Sequence, residues 1–495
     1  LVLTPLGAAP ASGPTLGVIV QAQDAASAAA LVQSVGGTVT HQLDIIDAVG
    51  AQLSPAQQET LQRMEIVRVY QDGNAEVAGK PGPETFYPGL IDADLLHQQG
   101  ITGDGVTVAV LDTGLISHDA FNRAPDRSWR VLSQYDAILD QMVADGINTI
   151  RTDDSGHGTH VTSIALSSAE TLAGTYSGVA PDADMVSVKA FDRNGAGRYT
   201  DIIRGLDWLV ANKANYNIGV LNLSFSALPQ SYYWDDPLNQ AVMRAWQAGI
   251  VVVASAGNTG PDAMTVRVPG NVPYIITVGA MSDNYSPEDG SYDFLSSFSS
   301  VGPTVEGFIK PEVVAPGAHM LGMMNTDMQI VIEHPEFHDG GAYFTMSGTS
   351  QAAALVSGVA ALMLSADPSL SPDTVKCRLM DAARPAQGQD GRLAYSIFQQ
   401  GAGMVNAYDA VYSGASGCAN RGMNITADLA GLEHYGGRAN RDPNGVYYIM
   451  DENGDPVDMD GYAWDDGYAW DDGYSWGDGY SWGDGYSWGD GYSWG

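Results

Sequence analysis

Val106-Thr-Val-Ala-Val-Leu111-Asp112-Thr-Gly114 decides the fold of this chain. A short run of apolar, largely β-branched residues reads as a central strand of a parallel sheet, buried on both faces. In open sheets of that kind, functional groups gather at the carboxyl ends of the strands, and Asp112 stands at such an end. Gly219-Val-Leu-Asn-Leu223, Ile250-Val-Val-Val-Ala254 and Ile275-Ile-Thr-Val278 have the same character. Between them, Ile202, Ile203, Leu206, Leu209 and Val210 fall on one face of a helix. Asp236-Pro237 caps a second helix that carries Leu238, Val242 and Trp246 inward, and Ser371-Pro372 opens a third. The expected class over residues 95–415 is therefore α/β, with a mostly parallel central sheet flanked by helices.

Three more segments complete the chemistry that Asp112 begins. They read Asp154-Ser-Gly-His157-Gly-Thr-His160, Ala254-Ser-Ala-Gly-Asn258 and Ser347-Gly-Thr-Ser350-Gln-Ala-Ala. A serine hydroxyl is a poor nucleophile until a base takes its proton, a task that suits His157 beside Ser350. Asp112 would hold the other imidazole nitrogen and stabilise the transient cation. The apolar run Ala352 to Leu364 reads as a helix beginning at the serine, whose N-terminus favours negative charge developing there. Asn258 is the candidate side-chain donor to an oxyanion, beside the Ser350 backbone N–H. Each motif alone has a plainer reading. Asp-Thr-Gly also marks aspartic proteases, which need two copies, and only one occurs here. His-Gly-Thr-His matches the metal pair His-Glu-x-x-His neither in spacing nor in its glutamate. All four together, in the order Asp, His, Asn, Ser, point to acyl transfer.

Bulk composition bounds the rest. The 495 residues include 58 acidic against 22 basic, for a formal charge of −36. Phosphate recognition needs basic surface, so nucleic acid is not the expected partner. No run of about 18 apolar residues suggests a membrane span. Leu1 to Ala11 ends in an Ala-x-Ala pattern, which reads either as the remnant of a secretory signal or as an unstructured leader over 1–14. The two cysteines, Cys377 and Cys418, suit one disulfide in an exported protein or two buried thiols, and are not spaced as a metal site.

Residues 15–78 read as a separate small α+β unit. Gly17–Ala22, Gly37–His41, Ala48–Leu53 and Ile66–Tyr70 are strand-like, Ala25–Val35 is an alanine-rich helix, and Ser54-Pro55 opens another through Leu61. A four-stranded sheet with two helices on one face fits this alternation. A Gly- and Pro-rich linker with a processing site is expected over 79–94 and a C-terminal extension over 416–460. Residues 461–495 repeat Gly-Tyr-[Ala/Ser]-Trp every six residues, a low-complexity aromatic tail whose rings would share one face of an extended backbone.

The motif residues resemble the subtilisin-like serine proteases, or subtilases. The likeness extends through Gly178–Pro181, Val186–Lys189, Val220–Ser224, Val278–Ala280, Phe298–Ser300, Gly302–Thr304 and Lys310–Gly317. The stretches Asp207–Asn217 and Trp246–Gly249 look most like the AprX-like branch. The resemblance implies a secreted endopeptidase made as a self-processing zymogen, with residues 15–78 as an inhibitory propeptide acting on its own cleft. It implies that Gly195, Ala196 and Gly197, with Arg198, pair with an extended peptide or protein substrate. It places Ser224, Phe225 and Ser226, and opposite them Ser255, Ala256 and Gly257, as walls of the pocket for the residue on the acyl side of the cut bond. No acidic residue lies in either wall, so an apolar or aromatic residue is expected there. No cofactor is required for the chemistry; structural calcium is common in the family, with ligands not identifiable here. Gln351 and Ala354 stand where the family usually has Met and Pro, Val301 where it has Arg, and Ser226 where it has Gly.

Two other functions compete. Gln351 and Ala354 leave room for a protease-fold binding module without activity. The aromatic tail leaves room for a protein whose work is to bind glycans or a cell surface.

Overall fold

The computed structural model describes residues 15–457 except 65, 78–79, 82–86, 125–127, 146–150, 172–173, 285–292, 389–391 and 452–454, together with Tyr474–Ser475. The leader expected over 1–14 and nearly all of the repeat over 461–495 therefore lie outside the described residues.

The N-terminal unit forms as its pattern predicts. β1 (Leu16–Gln21), β2 (Thr38–Leu43), β3 (Ala48–Leu53) and β4 (Arg68–Gln71) make one sheet in the order β2-β3-β1-β4, and the β1 pairings are antiparallel. Asp24 caps the helix Ala25–Ser34 by accepting from Ser27 N–H. Ser54 and Gln57 form a reciprocal capping box on Pro55–Gln62. Val18, Val20, Ala28, Val32, Val49, Leu53 and Leu61 close a core of their own.

The chain then gives two short strands, β5 (Asn74–Val77) and β6 (Lys80–Pro81), which belong to neither main sheet. Within the stretch expected as a linker, Tyr87–Leu90 is helical, and Tyr87, Ile91 and Ala93 are buried against the larger core. Apolar side chains inside a Gly/Pro-rich segment draw it onto the domain surface.

The large sheet contains β7 (Thr107–Asp112), β8 (Val131–Asp136), β9 (Gln141–Asp145), β10 (Asp184–Lys189), β12 (Ile218–Leu223), β14 (Val251–Ser255), β15 (Ile276–Ser282), β16 (Phe294–Leu295) and β17 (Val313–Pro316). Between β10 and β14 the chain also gives β11 (Ala196–Arg198) and β13 (Phe225–Ser226), which pair elsewhere. The order is β16-β15-β14-β12-β7-β10-β8-β9, with β17 also on β15. Its central pairings are parallel, while β9 and β16 run antiparallel at the margins, so the sheet is mixed. The runs that begin at Val106, Gly219, Ile250 and Ile275 become β7, β12, β14 and β15. β18 (Met320–Met323) and β19 (Tyr343–Ser347) pair antiparallel, and β6 joins β19 to make a separate three-stranded sheet.

Two helices meet behind the sheet and carry the site. His157–Leu166 is buried along its whole length. Thr349–Ala366 is the one helix among the described residues long and apolar enough to cross a membrane, and it is core, 89% of it buried. Its alanines let neighbouring elements approach closely. Cys377 and Cys418 are joined as a disulfide, closing a loop of 41 residues that constrains the unfolded chain by about 4 kcal/mol.

Candidate active site

β7 ends on Asp112, whose Oδ1 lies 2.8 Å from Nδ1 of His157 and accepts the Thr113 N–H at 2.8 Å. Both side chains of the Asp112–His157 pair are fully buried, so the contact is shielded from competing water. His157 opens its helix against the end of β7. Gly158 allows the approach: a Cβ there would come 2.4 Å from the Gly114 carbonyl oxygen. The Gly158 N–H donates instead to Thr113 Oγ1 at 2.8 Å.

Asp153 holds this junction together, and the motif reading passed over it. Its Oδ1 accepts from Thr113 Oγ1 at 2.9 Å, Ser155 N–H at 3.0 Å and Gly156 N–H at 2.9 Å. Its Oδ2 accepts from Thr159 N–H at 2.9 Å and Thr159 Oγ1 at 2.6 Å. One fully buried carboxylate thus satisfies orphan donors at the start of the histidine helix and ties them to the strand that carries Asp112. An aspartate a few residues ahead of a helix that starts His-Gly-Thr was the signal available in the sequence.

Ser350 lies in the first turn of Thr349–Ala366 and is fully buried. Its Oγ donates to the Ser224 carbonyl at 2.9 Å, and Ser224 Oγ donates to the Ser350 carbonyl at 2.8 Å. Asn258 follows β14 and uses its Oδ1 to accept both the Thr349 N–H and the Thr349 hydroxyl, each at 2.9 Å. With Oδ1 committed to Thr349, the amide nitrogen is the end left to donate. Gln351 is fully buried; its Nε2 stands 3.5 Å from Nδ1 of His160, whose Nε2 is 3.0 Å from the Phe344 carbonyl. Burial pushes His160 down to about 3, so it stays neutral and belongs to the core.

Gly195, Ala196 and Gly197 lead into the edge strand β11, which pairs antiparallel with β5 of the same chain: Ala196 faces Glu76, Gly197 faces Ala75 and Arg198 faces Asn74. On the other side of β5, β13 pairs Phe225 with Val77 and Ser226 with Glu76. Ser224, Phe225, Ser255 and Ala256 are buried, and Ser255 Oγ donates to the Phe225 carbonyl at 3.0 Å, joining the two proposed walls. β6 lies against β19, with Lys80 opposite Ser347 and Pro81 opposite Met346. Among the described residues no group of three or more His, Cys, Asp or Glu side chains is placed to hold a metal ion, so no ligand set emerges for the calcium the resemblance allows.

The family model described as the subtilase family, Peptidase_S8, matches residues 103–403. Serine protease AprX of Bacillus subtilis (strain 168) is 38% identical over 318 residues, covering 63% of this chain and 67% of that protein. The thermostable alkaline protease of Halalkalibacterium halodurans is 30% identical over 373 residues, 74% of this chain and 86% of that protein. Among solved structures, fervidolysin from Fervidobacterium pennivorans superposes with a TM-score of 0.63 at 22% identity, covering 82% of this chain and 62% of its own. Sheet, helices and relatives together define a hydrolase of peptide bonds that works as a serine endopeptidase. The chain belongs to the subtilase family.

Proposed function

We propose that the chain is an exported serine endopeptidase made as a self-cleaving zymogen, with Asp112, His157 and Ser350 as its triad and Asn258 as oxyanion donor. His157 takes the proton of Ser350 Oγ as that oxygen attacks a peptide carbonyl, and later returns it to the leaving amine. Asp112 fixes the tautomer through the 2.8 Å contact to Nδ1 and steadies the imidazolium. Asn258 Nδ2 and the Ser350 N–H face the developing oxyanion. None of these steps calls for a cofactor.

The observation that carries the zymogen reading is the path of the chain through its own cleft. β5 lies between β11 and β13, as an added substrate strand would, and β6 resumes against β19. β5 ends at Val77 opposite Phe225, next to Ser224, whose carbonyl accepts from Ser350 Oγ at 2.9 Å, and β6 begins at Lys80 opposite Ser347. The bond proposed for self-cleavage therefore falls between Val77 and Lys80, at the leading edge of the 79–94 stretch.

Contacts outside the cleft support residues 15–78 as the inhibitory unit. His41 Nε2 is 2.7 Å from Asp201, Gln21 donates to Gln240 at 2.6 Å, and Asp72 accepts from Thr200 N–H at 3.1 Å and Thr200 Oγ1 at 3.0 Å. Export is supported by the Cys377–Cys418 disulfide, which persists in oxidising compartments.

The test compares wild type with Ser350→Ala by intact-mass spectrometry and a serine-directed fluorophosphonate label. Wild type should lose its N-terminal segment by a cut between Val77 and Lys80 and label at Ser350, while Ser350→Ala stays full length and unlabelled. An intact, unlabelled wild type, even after another protease removes residues 15–78, would leave the inactive binding module as the better reading.

A further inference from the structure

A third segment joins the two walls of the acyl-side pocket. Val268 exchanges backbone hydrogen bonds with Ala227, the residue after the Ser224–Ser226 wall, at 2.9 and 3.0 Å. One residue earlier, Arg267 N–H donates to the carbonyl of Ala256 in the opposite wall at 3.1 Å. Residues 266–268 therefore run across the gap between the walls, where a floor must lie. Val266 and Val268 are buried, 6% and 0% exposed, so alternation along an extended backbone turns Arg267 to the opposite side.

The position of the Arg267 stem fits this placement. Gly257 has φ +106°, and a Cβ built on it would meet Arg267 Cγ at 3.1 Å and Cβ at 3.5 Å. Arg267 Nε donates to Thr259 Oγ1 at 3.1 Å, so the side chain lies along Gly257, Asn258 and Thr259, the stretch that carries the oxyanion donor. A long, hydrogen-bonded cation occupies space that a deep apolar pocket would leave open. The walls alone suggest room for an aromatic residue; the floor does not.

We propose that Arg267 is the floor of the acyl-side pocket and restricts cleavage to bonds that follow small residues. The proposal rests on the reading of Ser350 as nucleophile. A small side chain fits above the guanidinium stem, whereas a Phe ring would have to displace it and break the bond to Thr259. Lys and Arg are disfavoured by charge.

The test uses the processed enzyme with succinyl-Ala-Ala-Pro-Xaa-p-nitroanilides in which Xaa is Ala, Phe or Glu. Wild type should favour Ala over Phe by about tenfold or more in kcat/KM, and Arg267→Gly should raise the Phe-to-Ala ratio by about tenfold or more. Arg267→Ala should move it in the same direction, and it serves if the glycine variant fails to fold. A wild type that prefers Phe, or a ratio unmoved in both variants, overturns the proposal. A wild-type preference for Glu over Ala that vanishes in the variants also overturns it, because Arg267 would then act as an ion-pair partner and not as a size filter. Fluorophosphonate labelling of the same preparations separates the two readings. Labelled protein with a flat ratio sinks the floor, and unlabelled wild type sinks the nucleophile.

Discussion

Ser350 and Ser224 hold each other twice, hydroxyl to carbonyl in both directions, at 2.9 and 2.8 Å. The proposed nucleophile is thereby tied to one wall of the proposed substrate pocket. The second of these bonds uses only the Ser350 backbone carbonyl, so it survives truncation of the side chain. This is why Ser350→Ala is a clean probe of chemistry: the position keeps its tie to Ser224 when it loses its oxygen.

Asn258→Ala removes the amide proposed to face the oxyanion and also strips Thr349 of its acceptor. Turnover should fall by roughly 100- to 1000-fold while KM changes little, since the interaction strengthens only in the transition state. Steady-state kinetics on a soluble peptide decides it; a loss confined to KM would mean that Asn258 binds ground-state substrate.

Asp153→Asn keeps the acceptor that serves Ser155 and Gly156 but sets an amide NH2 against the Thr159 N–H. Leaving that buried donor without a partner should cost about 1–3 kcal/mol of stability. It should also lower kcat, because the same carboxylate anchors the start of the His157 helix. Thermal melts and kcat measured on one preparation test both halves, and an unchanged melting temperature would show that the junction relaxes.

His160 gives the fold an acid limit. Its ordinary value is 6.5 and burial lowers it to about 3, so below pH 6.5 the unfolded chain takes up a proton that the folded chain refuses. Stability from this residue is therefore complete above pH 6.5 and declines as pH falls from there toward 3, with a slope of about one proton. Melting temperatures from pH 7 to 4 should fall less steeply in His160→Gln than in wild type. Parallel curves would assign the acid sensitivity to other groups.

Removing residues 461–495 should leave hydrolysis of a small peptide unchanged. The described contacts of the site involve none of them, and the one tail pairing described, Tyr474–Ser475 with Tyr435–Gly436, lies in a different small sheet. If binding to glycan or cell surfaces is lost with the tail while peptide hydrolysis persists, attachment and catalysis are separate properties of one chain.

The parts legible in the sequence were those written by local rules. β7 was visible because burial on both faces forces an apolar run up to Asp112, and the helix start at Ser54-Pro55 was visible because a cap and a first-turn proline stand side by side. Asp112, His157, Asn258 and Ser350 each sit in a glycine-bounded motif, since close approach of backbones demands small residues around them. Arg267 carries no such mark. Its place depends on its own bond to Ala256 and on those of Val268 to Ala227, which only tertiary pairing brings together. Asp153 was half-visible, ahead of a histidine helix, yet its bond to Thr113 crosses 40 residues. The antiparallel margins β9 and β16 were missed because exposed edge strands need not be apolar.

The seating of β5 and β6 in different sheets has a consequence for timing. Cutting between them removes the tether but leaves β5 and β6 each in its own set of backbone pairings. If the chain cleaves itself as proposed, the first cut produces a nicked complex whose two pieces still fill the groove, and free enzyme appears only when the N-terminal piece lets go. That step is unimolecular, so the delay before activity is a clock carried by each molecule. Dilution will not lengthen it, and only a trace of already liberated enzyme, by digesting the departing piece, will shorten it.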